Sequence, residues 1–381
     1  MKITDIEVAY VKIPTIKLES NGTQDTAVIL IHTDEGITGM GEVDSAPTVV
    51  KAVIEAPRSH SVMTGLREVL IGQDPFDTAG LWKRMYHASV YYGRRGVVVH
   101  AISGIDIALW DLKGKALNRP LCELLGGTTD AKVRAYASAL FGKDGTETGE
   151  KAARFKEMGY TAFKFGWMNF GYSEKTDRDH LEGIRKAVGP DAPVMVDVGW
   201  AYDSGGPEWD VTTAISRAHV LAEYDVYWME EPLHPDNMDG YGKLSDQSPV
   251  RIAAGEECAT VYEFKDLIER GRVDVLQPDV SRAGGVTETM RIAALAQSYD
   301  KPIVPHHFKT GILGAVSVHI NASIPNRLFQ ETPAPGEGSI LNTDLVQPAV
   351  KLDADGNIVI PKGPGLGVEL DPEVFKRYRV T

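Results

Sequence analysis

The chain has 381 residues, of which 43% are hydrophobic and 24% are charged. The length is about two and a half times the ~150 residues of an average domain, and the composition excludes a disordered, collagen-like or coiled-coil protein. Its 40 Lys and Arg residues against 53 Asp and Glu residues give a net charge of −13. Because binding to nucleic acid or to an anionic membrane needs clustered positive charge, we expect neither partner.

The cysteine content and the first residues point to the compartment. Cys122 and Cys258 are too few for a disulfide framework and lack the spacing of metal-binding pairs, which fits a reducing cytoplasm. Acidic residues stand near the start, where a signal peptide would have its apolar core. The longest apolar run nearby, 27–31, is far short of the ~20 residues that span a bilayer. We therefore expect a soluble, cytoplasmic protein.

The first part of the chain, 1–127, combines strand and helix patterns. Alternation of apolar and polar residues predicts strands over 3–11, 26–32 and 39–42. A helix is predicted over 99–117, because apolar residues recur there at three- and four-residue steps, namely Ile102, Ile105, Leu109 and Leu112. This part is therefore predicted to be an α+β domain.

The middle part, 128–338, has a different pattern, in which short apolar runs alternate with amphipathic segments. The predicted strands cover 133–136, 162–165, 194–198, 226–229, 252–254, 273–277, 303–304 and 328–330. Eight strands, mostly followed by a helix, predict a (β/α)₈ barrel of the α/β class. An open doubly wound sheet is the alternative, but no glycine-rich phosphate turn follows the first strand.

The last segment, 339–381, returns to β structure. Asp355-Gly356-Asn357 lies between two short predicted strands, 350–352 and 358–360, and such a turn sequence predicts a hairpin. The segment is too short to form a domain alone, so we expect it to pack back on the first part.

Ionisable residues follow six consecutive strands of the middle part, where the site of a barrel is built. They are Asp197, Glu230, Glu256, Asp279, His306 and Glu331. One acid after a strand is usually a helix cap or a solvated loop residue. Three carboxylates on successive strands, however, repel each other unless a cation neutralises them. The set Asp197, Glu230 and Glu256 offers only oxygen ligands, which favours Mg²⁺, with Mn²⁺ as the alternative, over zinc.

The motifs around these residues match a known family. They are Trp-Met-Glu-Glu-Pro around Glu230, Ala-Gly-Glu ending at Glu256, Gln-Pro-Asp-Val-Ser-Arg-Ala-Gly-Gly around Asp279, Val-Pro-His-His-Phe around His306, and the run from Gly104 to Gly114. With them, nearly the whole chain resembles the enolase superfamily and, within it, the mandelate racemase subgroup. The resemblance implies a modified, enolase-type TIM barrel with an α+β N-terminal capping domain that the C-terminal tail completes.

The resemblance also implies roles for the site residues. Asp197, Glu230 and Glu256 would bind one Mg²⁺, and the ion would bind the carboxylate of a small-molecule substrate. Asp279 and His306 would form a dyad in which His306 is the base. Lys164 would lie near the substrate carboxylate, and Glu331 would hydrogen-bond its other oxygen. A homo-oligomer, from dimer to octamer, is a further implication.

One departure from the family pattern bears on the reaction. The subgroup usually has Lys-x-Lys on the second barrel strand, whereas this chain has Lys164-Phe165-Gly166, and glycine cannot transfer a proton. A racemase needs acid–base groups on both faces of the substrate, but a dehydratase can work with one. The sequence therefore predicts a Mg²⁺-dependent dehydratase that converts a sugar acid, either an aldonate or an aldarate, into a 2-keto-3-deoxy acid.

Three alternatives to dehydration stay open at this point. Cycloisomerisation of a sugar lactone is also β-elimination chemistry and needs one base. A racemase or epimerase of the same superfamily is the second alternative. The third is a barrel that binds a sugar acid without catalysis, since a fold alone does not establish an activity.

Residues near the strand ends and in the capping part are candidates for substrate contacts. The family often has Asp-x-Asn at the first metal ligand, but Gly199 stands in place of the Asn, and Trp200 follows it. Trp167 and Trp200 are candidates for stacking on a sugar. Asn21 and Tyr92 are candidates because the family takes its specificity from the capping part.

His307 is a weaker candidate than its neighbour. Successive residues of an extended strand face opposite sides, so only one of His306 and His307 can point into the site. The family motif favours His306 as the base, which leaves His307 as a candidate substrate contact.

Overall fold

The computed structural model describes residues 1–17, 21–199 and 208–380. The N-terminal domain opens with an antiparallel sheet of three strands, β1 (Ile3–Lys12), β2 (Asp25–Thr33) and β3 (Thr38–Val43), with a single 3-10 turn at Gly22–Gln24. Five helices follow: α1 (Pro47–Glu55), α2 (Leu66–Leu70), α3 (Thr78–Ala88), α4 (Val97–Leu117) and α5 (Leu121–Leu124). The predicted α+β character of this part is confirmed.

Helix α4 is the central helix of this domain, and it is buried around most of its circumference. A helix that is apolar on all sides must be covered on all sides, and α4 lies between the antiparallel sheet and the barrel. Gly41 on β3 permits the close approach, because a Cβ there would lie 2.0 Å from the carbonyl oxygen of Gly104 on α4. On the opposite side, Asp106 accepts hydrogen bonds from the amide and hydroxyl of Thr287 at 2.8 and 2.7 Å.

The second domain is built on a curled parallel sheet. Its strands are β4 (Ala135–Leu140), β5 (Phe163–Gly166), β6 (Val194–Asp197), β7 (Trp228–Glu230), β8 (Arg251–Ala254), β9 (Val275–Leu276) and β10 (Gln330–Pro333). They pair in the order β10-β4-β5-β6-β7-β8-β9. The ring is completed by single bridges from Ile303 to Leu276 and to Arg327, and from His306 to Asp279.

The segment 303–306 makes only single bridges because Pro302 and Pro305 lack the N–H groups that a continuous strand needs. Sequence patterning predicted a strand over 303–304, and its place in the ring is confirmed. The enolase-type modified barrel with an α+β capping domain is confirmed with it.

Helices follow the strands around the outside of the ring. They are α6 (Gly145–Glu157), α7 (Glu174–Val188), α8 (Val211–Glu223), α9 (Met238–Gln247), α10 (Thr260–Glu269), α11 (Gly285–Gln297) and α12 (Gly311–Asn321). Asp144, Ser173 and Asp210 stand at the starts of the first three and accept a backbone N–H from the first turn. Such caps fix where each helix begins.

Side chains that point into the ring form two layers. The lower layer is apolar and takes one residue from each position around the ring, namely Tyr136, Ala162, Met195, Trp228, Ala253, Val275, Val304 and Phe329. Residues two positions later on a strand face the same side. The upper layer therefore holds Ser138, Lys164, Asp197, Glu230, Gly255, Gln277, His306 and Glu331.

The C-terminal segment contains α13 (Ile340–Asp344), β11 (Val346–Gln347), β12 (Glu369–Leu370) and α14 (Pro372–Tyr378). An antiparallel bridge joins Leu352 to Ile358, at the place of the predicted hairpin. The amide of Val380 donates to the carbonyl of Tyr10 at 2.8 Å, so the tail reaches the capping sheet. The domain limits 1–127, 128–338 and 339–381 stay a prediction. None of the helices in the described residues has the length and apolarity that crossing a membrane requires.

A buried histidine connects the barrel, the capping domain and the tail. On α12, His319 has its Nδ1 3.3 Å from the amide of Cys122, and its Nε2 lies 3.1 Å from the carbonyl oxygen of Leu366. The amide can only donate and the carbonyl can only accept, so the ring is neutral with its proton on Nε2. Burial lowers the pKa of His319 from 6.5 to about 4.

We expect this histidine to make the protein sensitive to acid. The neutral ring contributes stability fully above pH 6.5, and this contribution is lost as the pH falls to about 4. The contribution of His319 to the free energy of unfolding falls by about 3 kcal/mol at most over this pH range. Urea unfolding of the parent and of His319→Gln at pH 7, 5.5 and 4 measures it, and the parent should lose more free energy of unfolding than the variant. An equal loss in both would contradict the assignment, and His219→Gln, at an exposed position on α8, is the control.

Candidate active site

The upper layer of the ring opens into a cavity of about 290 Å³ at the carboxyl ends of the strands. Its lining includes five of the predicted catalytic and metal-binding residues: Lys164, Asp197, Glu256, His306 and Glu331. Two further predicted residues, Glu230 and Asp279, are fully buried beside them. The structure therefore brings all seven together in one site.

Three carboxylates form the floor of this site. Asp197, Glu230 and Glu256 each offer an oxygen, and these oxygens lie within 4.8 Å of one another. Burial, with Glu230 beside it, raises the pKa of Asp197 well above its usual range, and burial also raises the pKa of Glu256. Buried carboxylates this close repel each other, and an all-oxygen set suits a hard divalent cation. The three residues form a buried carboxylate triad of the kind that holds a divalent metal ion.

Lys164 lies among these carboxylates as their counter-ion. Its Nζ forms an ion pair with Glu230 and lies 2.7 Å from Glu331 Oε1 and 3.6 Å from Asp197 Oδ2. Burial opposes the charge on the lysine, but Glu230 and Glu331 outweigh it and raise the pKa of Lys164 well above its usual range. The ammonium group is therefore fixed as a positive charge at the floor of the cavity.

His306 and Asp279 form a hydrogen-bonded dyad. Nδ1 of His306 lies 2.7 Å from Asp279 Oδ2, while the other oxygen of Asp279 accepts from the amide and hydroxyl of Ser281 at 2.7 and 2.6 Å. A carboxylate at Nδ1 holds the proton there, so Nε2 is the nitrogen that can accept one. Nε2 lies 3.3 Å from Glu256 Oε2. Burial opposes a charge on the ring, but Glu256 and Asp279 raise the pKa of His306 to about 10.

Glu331 is held in place on the side of Lys164. The amide of His307 donates to its Oε2 at 2.8 Å. Burial raises the pKa of a carboxyl, but Lys164 and His306 outweigh it and hold the pKa of Glu331 at about 2. An ionised carboxylate only accepts hydrogen bonds. The predicted hydrogen bond from Glu331 to the substrate stays a prediction, and it requires that Glu331 gain a proton when substrate is bound.

Gly166 and Trp167 lie on the cavity wall after Lys164. A Cβ on Gly166 would lie 2.9 Å from the Cβ of Asp197, closer than side-chain atoms approach. The indole Nε1 of Trp167 donates to Asp197 Oδ2 at 3.3 Å. Trp167 thus contacts a residue of the metal site and lines the cavity, and its stacking on a sugar stays a prediction.

The two capping-domain candidates lie in different places. Asn21 lines the cavity, but its Nδ2 donates to the carbonyl of Glu337 at 2.9 Å and its Oδ1 accepts from the amide of Thr23 at 3.0 Å. Tyr92 lies outside the described lining of the cavity. Its hydroxyl instead donates to the carbonyl of Thr64 at 2.8 Å. The structure therefore brings Asn21 to the site and leaves Tyr92 away from it.

The two remaining candidates are His307 and Trp200, and neither has a described side chain in the cavity. His307 faces away from it, with its ring nitrogens 3.1 Å from the carbonyl oxygens of Glu331 and Thr310. The alternation expected of an extended segment is thus observed, since His306 faces the cavity and His307 does not. Trp200 lies outside the described residues.

A charged cluster that was not predicted from the sequence joins the capping domain to the barrel. Arg282 binds the Oδ2 of Asp44 at 2.7 Å, and Lys309 lies 3.0 Å from the other oxygen of Asp44. The amide of Asp44 donates to the hydroxyl of Ser281 at 3.1 Å, and Ser281 in turn contacts the dyad. Arg282 and Ser281 lie within the motif quoted around Asp279, which was the available signal. Nothing in the sequence around Asp44 distinguishes it from a surface acid.

Comparison with protein families covers both domains. Residues 3–126 match the model described as the mandelate racemase/muconate lactonizing enzyme N-terminal domain, and residues 147–374 match the model described as enolase C-terminal domain-like. A D-galactarolactone cycloisomerase from Agrobacterium fabrum is 32% identical over 93% of this chain and 91% of its own. An L-rhamnonate dehydratase from Saccharopolyspora erythraea is 32% identical over 92% of this chain and 85% of its own.

Solved structures agree with the sequence comparison. A predicted mandelate racemase from Rhodobacter sphaeroides superposes with a TM-score of 0.90 at 31% identity, over 100% of this chain and 95% of the other. A racemase from Streptomyces coelicolor with bound magnesium superposes with a TM-score of 0.84 at 29% identity, over 99% of this chain and 100% of the other. The chain therefore belongs to the enolase superfamily, in its mandelate racemase/muconate lactonizing enzyme subgroup.

Proposed function

We propose that this enzyme is a Mg²⁺-dependent dehydratase of a sugar acid. The observation that carries the proposal is the one-sided placement of the base. The His306–Asp279 dyad supplies a proton acceptor, while Gly166 occupies the position where the subgroup's second lysine would stand. Because a Cβ at that position would meet Asp197, the local packing also leaves no room for a side chain there.

The three carboxylates fit the cation that this reaction needs. Asp197, Glu230 and Glu256 would hold Mg²⁺, because their oxygens are close together and buried, and no nitrogen or sulfur ligand is among them. When bound, the ion acts as a Lewis acid on the substrate carboxylate and makes its α-proton more acidic. Lys164 lies beside the same carboxylates and would contribute a second positive charge for the substrate carboxylate.

His306 would transfer a proton twice in one turnover. Nε2 takes the proton from C2 of the sugar acid, and the C2=C3 double bond forms as the C3–O bond breaks. The histidine then gives its proton to the departing hydroxyl, which leaves as water. The enol that remains tautomerises to the 2-keto-3-deoxy acid. Asp279 keeps Nδ1 protonated throughout, so one imidazole serves as base and acid on the same side of the substrate.

Cycloisomerisation of a sugar lactone is the second candidate. It is favoured by the similarity to the Agrobacterium protein, which is named a D-galactarolactone cycloisomerase. The same single base would remove the α-proton, and the ring oxygen of the lactone would leave in place of a hydroxyl. A racemase is less compatible with the site, because Gly166 stands where the subgroup's second lysine would lie.

We expect purified protein with Mg²⁺ to produce 2-keto acids from one or a few members of a library of aldonic and aldaric acids. Semicarbazide detects the product by its absorbance. The chelated protein is the control and should be inactive. If no acid reacts while a sugar lactone is isomerised, dehydration is contradicted and cycloisomerisation is supported.

Exchange in D₂O should be restricted to one of two C2 epimers, because His306 lies on one side of the substrate. NMR follows loss of the C2 proton signal of each epimer. His306→Asn should reduce exchange at least ~100-fold, the usual contribution of a positioned base. His219→Asn, at an exposed position on α8, should retain it. Exchange of both epimers would contradict a single base, and binding without exchange would support the non-catalytic alternative.

Mg²⁺ should lower the pKa of His306. Without metal the pKa is about 10, and Glu256 is the neighbour that raises it most. A cation on Glu256 screens this carboxylate, so the ring becomes neutral at a lower pH, as a base requires. NMR titration of the His306 ring with and without Mg²⁺ measures the shift, and Glu256→Gln without metal should lower the pKa in the same direction. An unchanged pKa on addition of Mg²⁺ would contradict the metal assignment.

A further inference from the structure

The lining of the cavity is unusually acidic for a site that would bind an anion. Among the described residues it contains five carboxylates, namely Asp44, Asp197, Glu256, Glu257 and Glu331. Three basic side chains line it, namely Lys164, Arg282 and His306. A divalent cation and Lys164 suffice for one substrate carboxylate. A second carboxylate of the substrate would need another positive charge from the lining.

Arg282 is the only other permanently charged cation in the described lining, and each of its three side-chain nitrogens already has an oxygen partner. Nη2 binds Asp44 Oδ2 at 2.7 Å, and Nε donates to the carbonyl of Asp44 at 3.3 Å. Nη1 lies 3.1 Å from Glu257 Oε1 and 3.7 Å from Glu256 Oε1. A guanidinium held on both sides by carboxylates has no edge left for a bidentate contact with a substrate carboxylate.

Lys309, which lies near Arg282, is also paired with carboxylates. Lys309 is 3% exposed, and its Nζ lies 3.0 Å from Asp44 and 3.6 Å from Asp25. It neutralises Asp44, and the described lining of the cavity does not include it. The segments 18–20 and 200–207 read Leu-Glu-Ser and Trp-Ala-Tyr-Asp-Ser-Gly-Gly-Pro, so they contain no Lys, Arg or His.

We propose that the cavity selects monocarboxylates, meaning an aldonate or the monolactone of an aldarate, and discriminates against dicarboxylates of the same sugar. The inference rests on the proposed function and narrows its substrate class. Asp44 and Glu257 accept hydrogen bonds, so they suit the hydroxyl groups of an uncharged polyol chain. A second substrate carboxylate would instead meet these acids without a free cation, and juxtaposed like charges oppose binding.

Binding and turnover of matched acids test the inference separately from the proposed function. The matched pairs are galactonate with galactarate and gluconate with glucarate, each titrated into the Mg²⁺-loaded protein by calorimetry and assayed for C2 proton exchange. For the pair whose stereochemistry fits, we expect the aldonate to bind and react at least ~10-fold better. Equal or better binding of the aldarate would overturn the inference alone. Binding of the aldonate without exchange would contradict the proposed function alone, and binding of neither acid would contradict both.

Removing the partly exposed acid beside Arg282 provides a second test. The side chain of Glu257 is 35% exposed, so Glu257→Gln removes a charge without opening the core. It frees one side of Arg282, and the ratio of aldarate to aldonate affinity should rise about 10-fold. Glu123→Gln is the matched control, because Glu123 is 37% exposed and pairs with Arg119 at 3.3 Å outside the described lining. An unchanged ratio in Glu257→Gln would overturn the role of the Asp44–Arg282–Glu257 cluster.

Discussion

The site depends on the balance of charge among carboxylates that are buried at the carboxyl ends of the barrel strands. Asp197, Glu230 and Glu256 are 6%, 0% and 8% exposed, and burying an ionised group without a partner is strongly unfavourable. Lys164 compensates part of this charge, and a divalent cation would compensate the rest. The same groups would then meet the proposed reaction's requirement for positive charge and the structural requirement for neutrality.

The two-residue alternation of the strands separates stability from chemistry. The lower inward layer contains apolar side chains such as Trp228 and Phe329, which pack edge to face with ring centroids 5.9 Å apart. The upper layer, two residues later, contains the ionisable groups. A substitution in the upper layer therefore changes charge above a core that stays packed, which is why barrels of this kind can differ in activity while sharing a fold.

The capping domain contributes a charged side chain, Asp44, to the site. Asp44 follows the capping strand β3, and it is bound by Arg282 and Lys309 from the barrel. Through Ser281 it is also connected to Asp279, the hydrogen-bond partner of His306. The contact between the two domains thus reaches the dyad through Ser281 and pairs Arg282 and Lys309 with Asp44.

Much of the fold and the chemical centre of the site could be predicted from the sequence. Short apolar runs that repeat with helical segments between them predicted the barrel. The strands of a parallel barrel all end on the same face, so residues that directly follow the strands were predicted to lie together there. Strand limits were less accurate. The strand β4 continues to Leu140 through Ala137, Ser138 and Ala139, whose small side chains give little β signal. The strand predicted over 303–304 is reduced to bridges by flanking prolines.

The residues that sequence reasoning missed or misplaced depend on how distant segments pack. Asp44 becomes part of the site only when the capping sheet meets the barrel, and no local pattern encodes this contact. Tyr92 lies away from the cavity because its hydroxyl is bound to Thr64, which again is a matter of packing. The cytoplasmic location and the homo-oligomer stay predictions, as do the roles of the individual site residues.

The central claim is that Asp197, Glu230 and Glu256 jointly bind one divalent cation. Titration with Mn²⁺, followed by electron paramagnetic resonance and checked by competition with Mg²⁺, tests it most directly. We predict one ion per chain, displaced by Mg²⁺, with affinity reduced about 100-fold or more in Asp197→Asn and in Glu256→Gln. Affinity that stays unchanged in both variants, or the absence of stoichiometric binding to the parent protein, would contradict the account.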